Sequence, residues 1–293
     1  MMSSVPAPLR PAALALLLAL AACATAPVRN GGADVKPNDQ IVILVGLDGL
    51  RPASLKEWPE AAPTLNALAD RGVRADGLVP VMPSKTFPDF YSIATGLHPD
   101  RHGITSNSPY SRTLGRVMAR SDHGEGVWWG GEPIWVTAEK QGVRSAAMFW
   151  LGSEAKIGGV RPSHWNPYEH GKPFRERTEQ VLGWLSLPEG ERPRFITLYF
   201  HAVDSAGHAF GPGSPEERAA IAEVDGEIAE LVAGIERLGL SDRTNIIVVS
   251  DHGMSAVGEG QIIYLDDYHS LDGVFIPELH GPDGAGYGVM VHL

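Results

Sequence analysis

The chain has 293 residues, with 24 Lys and Arg against 35 Asp and Glu, for a net charge of −11. An acidic surplus of this size argues against a surface built to hold a nucleic-acid backbone, duplexes included, but a local metal site could still accept a small anion. Cys23 is the single cysteine, so disulfides, thiolate metal sites and a cysteine nucleophile are denied to the folded part.

The first elements in chain order are processing signals. Arg10 precedes the apolar stretch 12–22, which is too short to cross a bilayer as a helix and fits the core of a secretory signal peptide covering residues 1–22. Leu20-Ala21-Ala22-Cys23 resembles the lipobox of bacterial lipoproteins. That resemblance implies a lipidated Cys23, a membrane anchor through it, and a periplasmic location. Ala24 is not the aspartate that retains lipoproteins at the inner membrane, which favours the outer one. Residues 23–38, rich in Ala, Pro, Gly and Asn, read as the lipidated tether.

Residues 39–293 suffice for one large α/β domain. The apolar run 41–47 predicts a buried strand ending at Asp48-Gly49. A helix is expected over 64–70, closed by Gly72. Residues 83–96 read as a turn entering a helix stopped by Gly96, with Thr86 near the helix N-terminus, where backbone N–H groups favour an anion. The stretch 97–130 reads as loop, 145–150 as strand and 174–185 as helix. A second buried strand, 194–200, leads to Asp204 and His208. Ser214-Pro215-Glu216-Glu217 is a helix start, and apolar residues from Ile221 to Leu238 keep a helical period until Gly239. The strand at 245–250 then leads to Asp251-His252. Strand, helix, strand is the βαβ unit of a parallel sheet.

Three Asp and two His thus follow three strand ends. In open α/β sheets ligands bind beyond the carboxyl ends of the strands, so these side chains are expected to converge. Carboxylate oxygen mixed with imidazole nitrogen is a ligand set for a divalent metal, zinc in particular. The i, i+4 spacing of Asp204 and His208 puts both on one face of a helical turn. An aspartate after a strand is often only a turn or cap residue, so the weight lies in the five together. His98, His102, His123, His164 and His170 are given no metal. Trp128, Trp129 and Trp135 are expected to pack, and Glu216, Glu217 and Glu223 to form a solvated helix face.

Six motifs occur in order: Pro83-Ser84-Lys85-Thr86-Phe87-Pro88, Thr95-Gly96-Leu97-His98-Pro99, His102-Gly103-Ile104, Trp129-Gly130-Gly131-Glu132-Pro133-Ile134-Trp135, Asp204-Ser205-Ala206-Gly207-His208 and Ser250-Asp251-His252-Gly253-Met254. Together they resemble the nucleotide pyrophosphatase/phosphodiesterase family (type I phosphodiesterases) of the alkaline phosphatase superfamily. The resemblance implies an α/β, alkaline phosphatase-like fold: a mostly parallel central sheet with helices on both faces. It implies two zinc ions and a threonyl-phosphoryl intermediate. Thr86 matches the nucleophile, held with Asp48, Asp251 and His252 at one zinc. Asp204 and His208 match ligands of the second. Asn107 matches an asparagine that donates to a phosphoryl oxygen. Phe87, Tyr168 and Tyr199 fall near an aromatic slot for a nucleobase or other leaving group.

The second zinc of the family takes one more histidine downstream. Neither His280 nor His292 sits in its expected context, and the chain reads as C-terminally incomplete. The implied activity is hydrolysis of a small phosphate diester or pyrophosphate, a nucleotide foremost, by a phosphoric diester hydrolase. The alternatives are a phospholipid-type or phosphonate ester on the same machinery, and a lipoprotein that only binds. A monoesterase is disfavoured because no arginine matches a phosphate clamp. A sulfatase is disfavoured because Ser84-Lys85-Thr86 lacks the required nucleophile motif.

Overall fold

A computed structural model describes residues 39–258 together with residues 260, 267, 268, 270 and 272. The predicted leader, lipid-bearing Cys23, tether, His280 and His292 lie outside the described residues.

The described residues form seven strands and eight helices. The strands are β1 Ile41–Leu47, β2 Tyr110–Ser111, β3 Arg116–Val117, β4 Ser145–Met148, β5 His164–Trp165, β6 Phe195–Phe200 and β7 Thr244–Val249. The helices are α1 Ser54–Glu57, α2 Pro63–Arg71, α3 Thr86–Thr95, α4 Pro99–His102, α5 Ile134–Lys140, α6 Phe174–Leu185, α7 Ala202–Phe210 and α8 Pro215–Arg237. Five strands form one parallel sheet in the order β5-β4-β6-β1-β7, and β2 and β3 form a separate antiparallel hairpin. Helices flank the sheet: α8 packs on α2, α6 and α7, while α3 packs on α4 and α5.

The three apolar runs become the three central-to-edge strands β6, β1 and β7. Every side chain of β6 is buried, as its uninterrupted Phe-Ile-Thr-Leu-Tyr-Phe run requires of a strand covered on both faces. In β7 exposed residues interrupt the run, and Ile247 is 48% exposed. The expected βαβ unit exists, with a refinement: β6 and β7 are not neighbours, because β1 lies between them and bonds to both. Val42 pairs with Phe195 on one side and Asn245 on the other, so the carboxyl ends of three strands remote in sequence finish level.

Ser214 caps α8, its Oγ accepting the Glu217 N–H at 3.1 Å, with Pro215 at the first helical position. Glu217 corrects an expectation. It is 1% exposed, accepts the Gly213 N–H and stands 3.7 Å from Arg51 Nε. Glu216 and Glu223 are exposed as expected. Farther along α8, Asp225 accepts the N–H groups of Thr64 and Leu65 at 3.0 and 2.8 Å, so α8 caps the start of α2. Arg177 in α6 is wholly buried and donates to the carbonyls of Lys172, His170 and Tyr199, which ties α6 to the end of β6. The stretch read as loop contains α4, the β2–β3 hairpin and two short 3-10 turns, and the expected strand 145–150 ends at Met148. Among the described residues no helix is long and apolar enough to cross a membrane.

Candidate active site

Asp48 directly follows β1, Asp204 lies in the first turn of α7 just beyond β6, and Asp251-His252 follow β7. Backbone bonds lock the three ends together. Asp48 N–H donates to Phe200 O at 3.0 Å, Asp204 N–H to Asp48 O at 3.0 Å, and Gly49 N–H to Asp251 Oδ1 at 3.1 Å. Gly49 has φ +75°, and a Cβ there would stand 2.9 Å from Asp204 Cα. Only glycine combines that backbone with that approach. Glycine at 207 is needed for packing: a Cβ would meet Met254 Sδ at 2.8 Å, so the Asp204-to-His208 turn and the segment after His252 seat on each other.

Ligand atoms of Asp48, Asp204 and His252 all lie within 4.8 Å of one another. Asp251 Oδ2 is 3.1 Å and Asp48 Oδ1 3.6 Å from His252 Nε2, and His208 Nε2 is 3.3 Å from Asp204 Oδ1. The five side chains singled out in the sequence therefore form one cluster. Burial, then Asp251, then Asp204 push the Asp48 carboxyl well above the usual range, against a hydrogen bond from Tyr199. Burial also raises Asp204, with His208 and His252 opposing and Asp251 adding to the shift.

Whether a cation suits this cluster is decided by its unpaired atoms. Asp48 Oδ1, Asp204 Oδ1 and Asp251 Oδ2 are buried without a hydrogen-bond partner, although imidazole nitrogens come within 3.1–3.6 Å. Buried carboxylate oxygens are normally satisfied. Nitrogen and oxygen lone pairs that approach without hydrogen-bond geometry are the arrangement of co-ligands around one ion. The residues fit a divalent metal with a preference for mixed oxygen and nitrogen ligands.

Thr86 opens α3, after Lys85 in an extended conformation, and its Oγ1 lies 3.5 Å from His252 Nε2. Asn107 Oδ1 accepts the Phe87 N–H at 2.9 Å. The start of α3 thus offers an anion fewer free N–H groups than the sequence suggested, while the asparagine amide is anchored beside Thr86. A cavity of about 350 Å³ is lined by Thr86, Asn107, Phe87, Tyr168 and Tyr199.

Met118, Arg120, His123, Trp129 and Glu154 also line it, and none was singled out in the sequence as a site residue. Trp129 does more than pack: its ring stacks near Phe87, with centroids 6.3 Å apart. Glu154 accepts the Tyr168 N–H at 2.8 Å, and Arg120 lies over the Tyr168 ring. Tyr199 does double service, since its hydroxyl donates to Asp48 Oδ2. These residues come from segments without periodicity, so no pattern marks them.

Residues 42–291 match the profile of the type I phosphodiesterase / nucleotide pyrophosphatase family. The chain belongs to this family. An uncharacterized pyrophosphatase/phosphodiesterase of Schizosaccharomyces pombe is 40% identical over 237 residues, 80% of this chain and 48% of the relative. Human ectonucleotide pyrophosphatase/phosphodiesterase family member 1 is 41% identical over 77% of this chain and 25% of its own length. Among solved structures, an inactive threonine-to-alanine form of murine ectonucleotide pyrophosphatase/phosphodiesterase 5 in complex with AMP superposes with a TM-score of 0.75. It is 28% identical and covers 82% of this chain and 64% of that one. This member of the type I phosphodiesterases therefore shares the alkaline phosphatase-like architecture, and spans half or less of the length of the two curated relatives.

Proposed function

We propose that the protein hydrolyses phosphate diesters or pyrophosphates of nucleotides, with Thr86 as nucleophile and two zinc ions held by Asp48, Asp251 and His252 and by Asp204 and His208. The observation that carries this reading is the position of Thr86, which touches the metal-ligand cluster through His252 and also lines the aromatic cavity. The AMP held by the murine relative supports a nucleotide in that cavity.

The Thr86 hydroxyl loses its proton to solvent, and Oγ1 bonds phosphorus while the bond to the leaving-group oxygen breaks, that oxygen keeping the electron pair and taking up a proton from solvent. Water oxygen later bonds phosphorus as the Thr86 Oγ1–phosphorus bond breaks, and one of the water protons returns to Oγ1. Zinc bound at the cluster would supply hydroxyl and water activation and neutralise phosphoryl charge. Asn107, oriented through the Phe87 amide, donates to a phosphoryl oxygen. Tyr199 holds the Asp48 carboxylate, and Glu154 fixes the backbone at Tyr168, so that Phe87 and Tyr168 receive the planar part of the substrate.

The test is hydrolysis of bis(p-nitrophenyl) phosphate against p-nitrophenyl phosphate, and of nucleotide pyrophosphates, by the full chain with zinc. Diester cleavage far exceeding monoester cleavage is the expected result; monoester cleavage alone would overturn the assignment. The leader and the Leu20-to-Cys23 motif support a lipid-anchored periplasmic protein, favouring the outer membrane. Mass spectrometry of the membrane-extracted N-terminus checks this, and an unmodified Cys23 would refute it.

A further inference from the structure

We propose that Asp89 is the positioning residue that aims Thr86; the proposal rests on the reading of Thr86 as nucleophile. Asp89 lies one turn into α3, is 2% exposed, and uses both carboxylate oxygens on the strand of chain that enters the helix. Oδ1 accepts the Val81 N–H at 2.6 Å and Oδ2 accepts the Lys85 N–H at 2.8 Å. Two donors four residues apart are thereby tied to one rigid helical side chain.

The capping role falls to Asp89 because Lys85, at the N-cap, has no side-chain oxygen to offer. Its backbone is extended, at φ −151° and ψ 157°, and the next residue is Thr86. Fixing the Lys85 N–H therefore fixes the direction in which Thr86 leaves the turn. The neighbouring Phe87 N–H is fixed by Asn107. Two side chains that touch the nucleophile only through backbone thus hold the residues on either side of it.

A carboxylate is costly here. Burial, helped by Asp251 and opposed by the two amide bonds and His252, pushes the Asp89 carboxyl up to about 6. An amide side chain would be cheaper to bury, but it has one acceptor where the site needs two. The second position would set an NH2 against a partly buried backbone N–H.

The experiment compares the full chain with Asp89→Asn and Asp89→Glu. It measures kcat and KM on bis(p-nitrophenyl) phosphate, bound zinc by elemental analysis, and amide hydrogen exchange across residues 79–87. Asp89→Asn is expected to lower kcat by about 10²-fold with KM little changed, because an ångström of misplacement costs that much in a preorganised site. Zinc content stays at the parent level, and exchange rises at Val81 and Lys85 while the sheet stays protected. Asp89→Glu keeps the charge but displaces both oxygens, and is expected to slow turnover as well; it also carries the comparison if the Asn variant does not fold. Unchanged kcat in both variants, or a loss that merely tracks lost zinc and global protection, overturns the proposal. If the parent cleaves no diester, the function reading fails by itself, and local exchange alone then decides whether Asp89 holds the turn.

Discussion

At the scale of single residues, the site separates chemistry from support. The Thr86 hydroxyl sits against His252 of the carboxylate–imidazole cluster. Thr86→Ala is therefore expected to abolish diester turnover while leaving zinc binding largely intact, as measured by stopped assay and by zinc content after dialysis. Turnover equal to the parent would sink the nucleophile assignment. That the three aspartates and two histidines converge was legible in sequence because each follows an apolar run whose end a parallel sheet must present to one edge. Asp89's bonds to the Val81 and Lys85 amides, Tyr199's bond to Asp48 and Glu154's bond to Tyr168 were not, because a single side-chain hydrogen bond, near or far along the chain, leaves no periodic trace.

At the scale of elements, legibility followed the length and regularity of the pattern. β1 and α6 span the residues their runs predicted, 41–47 and 174–185. The left-handed Gly96 closes α3 where a glycine stop was expected. The β2–β3 hairpin and α4 escaped notice since two to four residues are too few to show a period. Glu217 was misread because its exposed neighbours Glu216 and Glu223 share its charge but not its partner Arg51. The cap that α8 places on α2 gives a test at this scale. Asp225→Ala leaves two N–H groups of α2 without their acceptor, one buried and one partly buried, and is expected to cost about 1–2 kcal/mol, read from urea unfolding midpoints. An unchanged midpoint would show that α2 does not need the cap.

At the scale of the whole molecule, stability depends on groups that burial keeps in one protonation state and on the carboxylate–imidazole cluster. His102 is 1% exposed, its Nδ1 accepts the Ile104 N–H, and its Nε2–H donates to Ser92 Oγ. Burial pushes it down from 6.5 to about 4, so the folded state binds fewer protons than the unfolded chain between those values. Its contribution is fully present above pH 6.5 and is lost as pH falls through 4. About 1–2 kcal/mol is expected to go in that window, after discounting for solvent screening. The stability gap between the parent and His102→Gln should narrow accordingly on acidification; a constant gap would refute it. Chelation is the second global test. Zinc at about a hundredfold its dissociation constant adds about 2.7 kcal/mol per site. Stripping it should lower the unfolding temperature, and zinc added back should restore it.

The order β6-β1-β7 has a consequence for how the chain is made. β1 emerges well before either of its hydrogen-bonding neighbours, which both come from beyond residue 194. Throughout the synthesis of everything between, the most apolar strand of the sheet carries two open edges, the condition that invites pairing with other chains. The carboxylate–imidazole cluster shares this timing, because Asp48 waits for Asp204 and then for Asp251. A polypeptide cut short before residue 244 can hold neither its central strand between two partners nor the complete carboxylate–imidazole cluster, so loss of the cluster and exposure of a sticky edge would arrive together in the same truncated product.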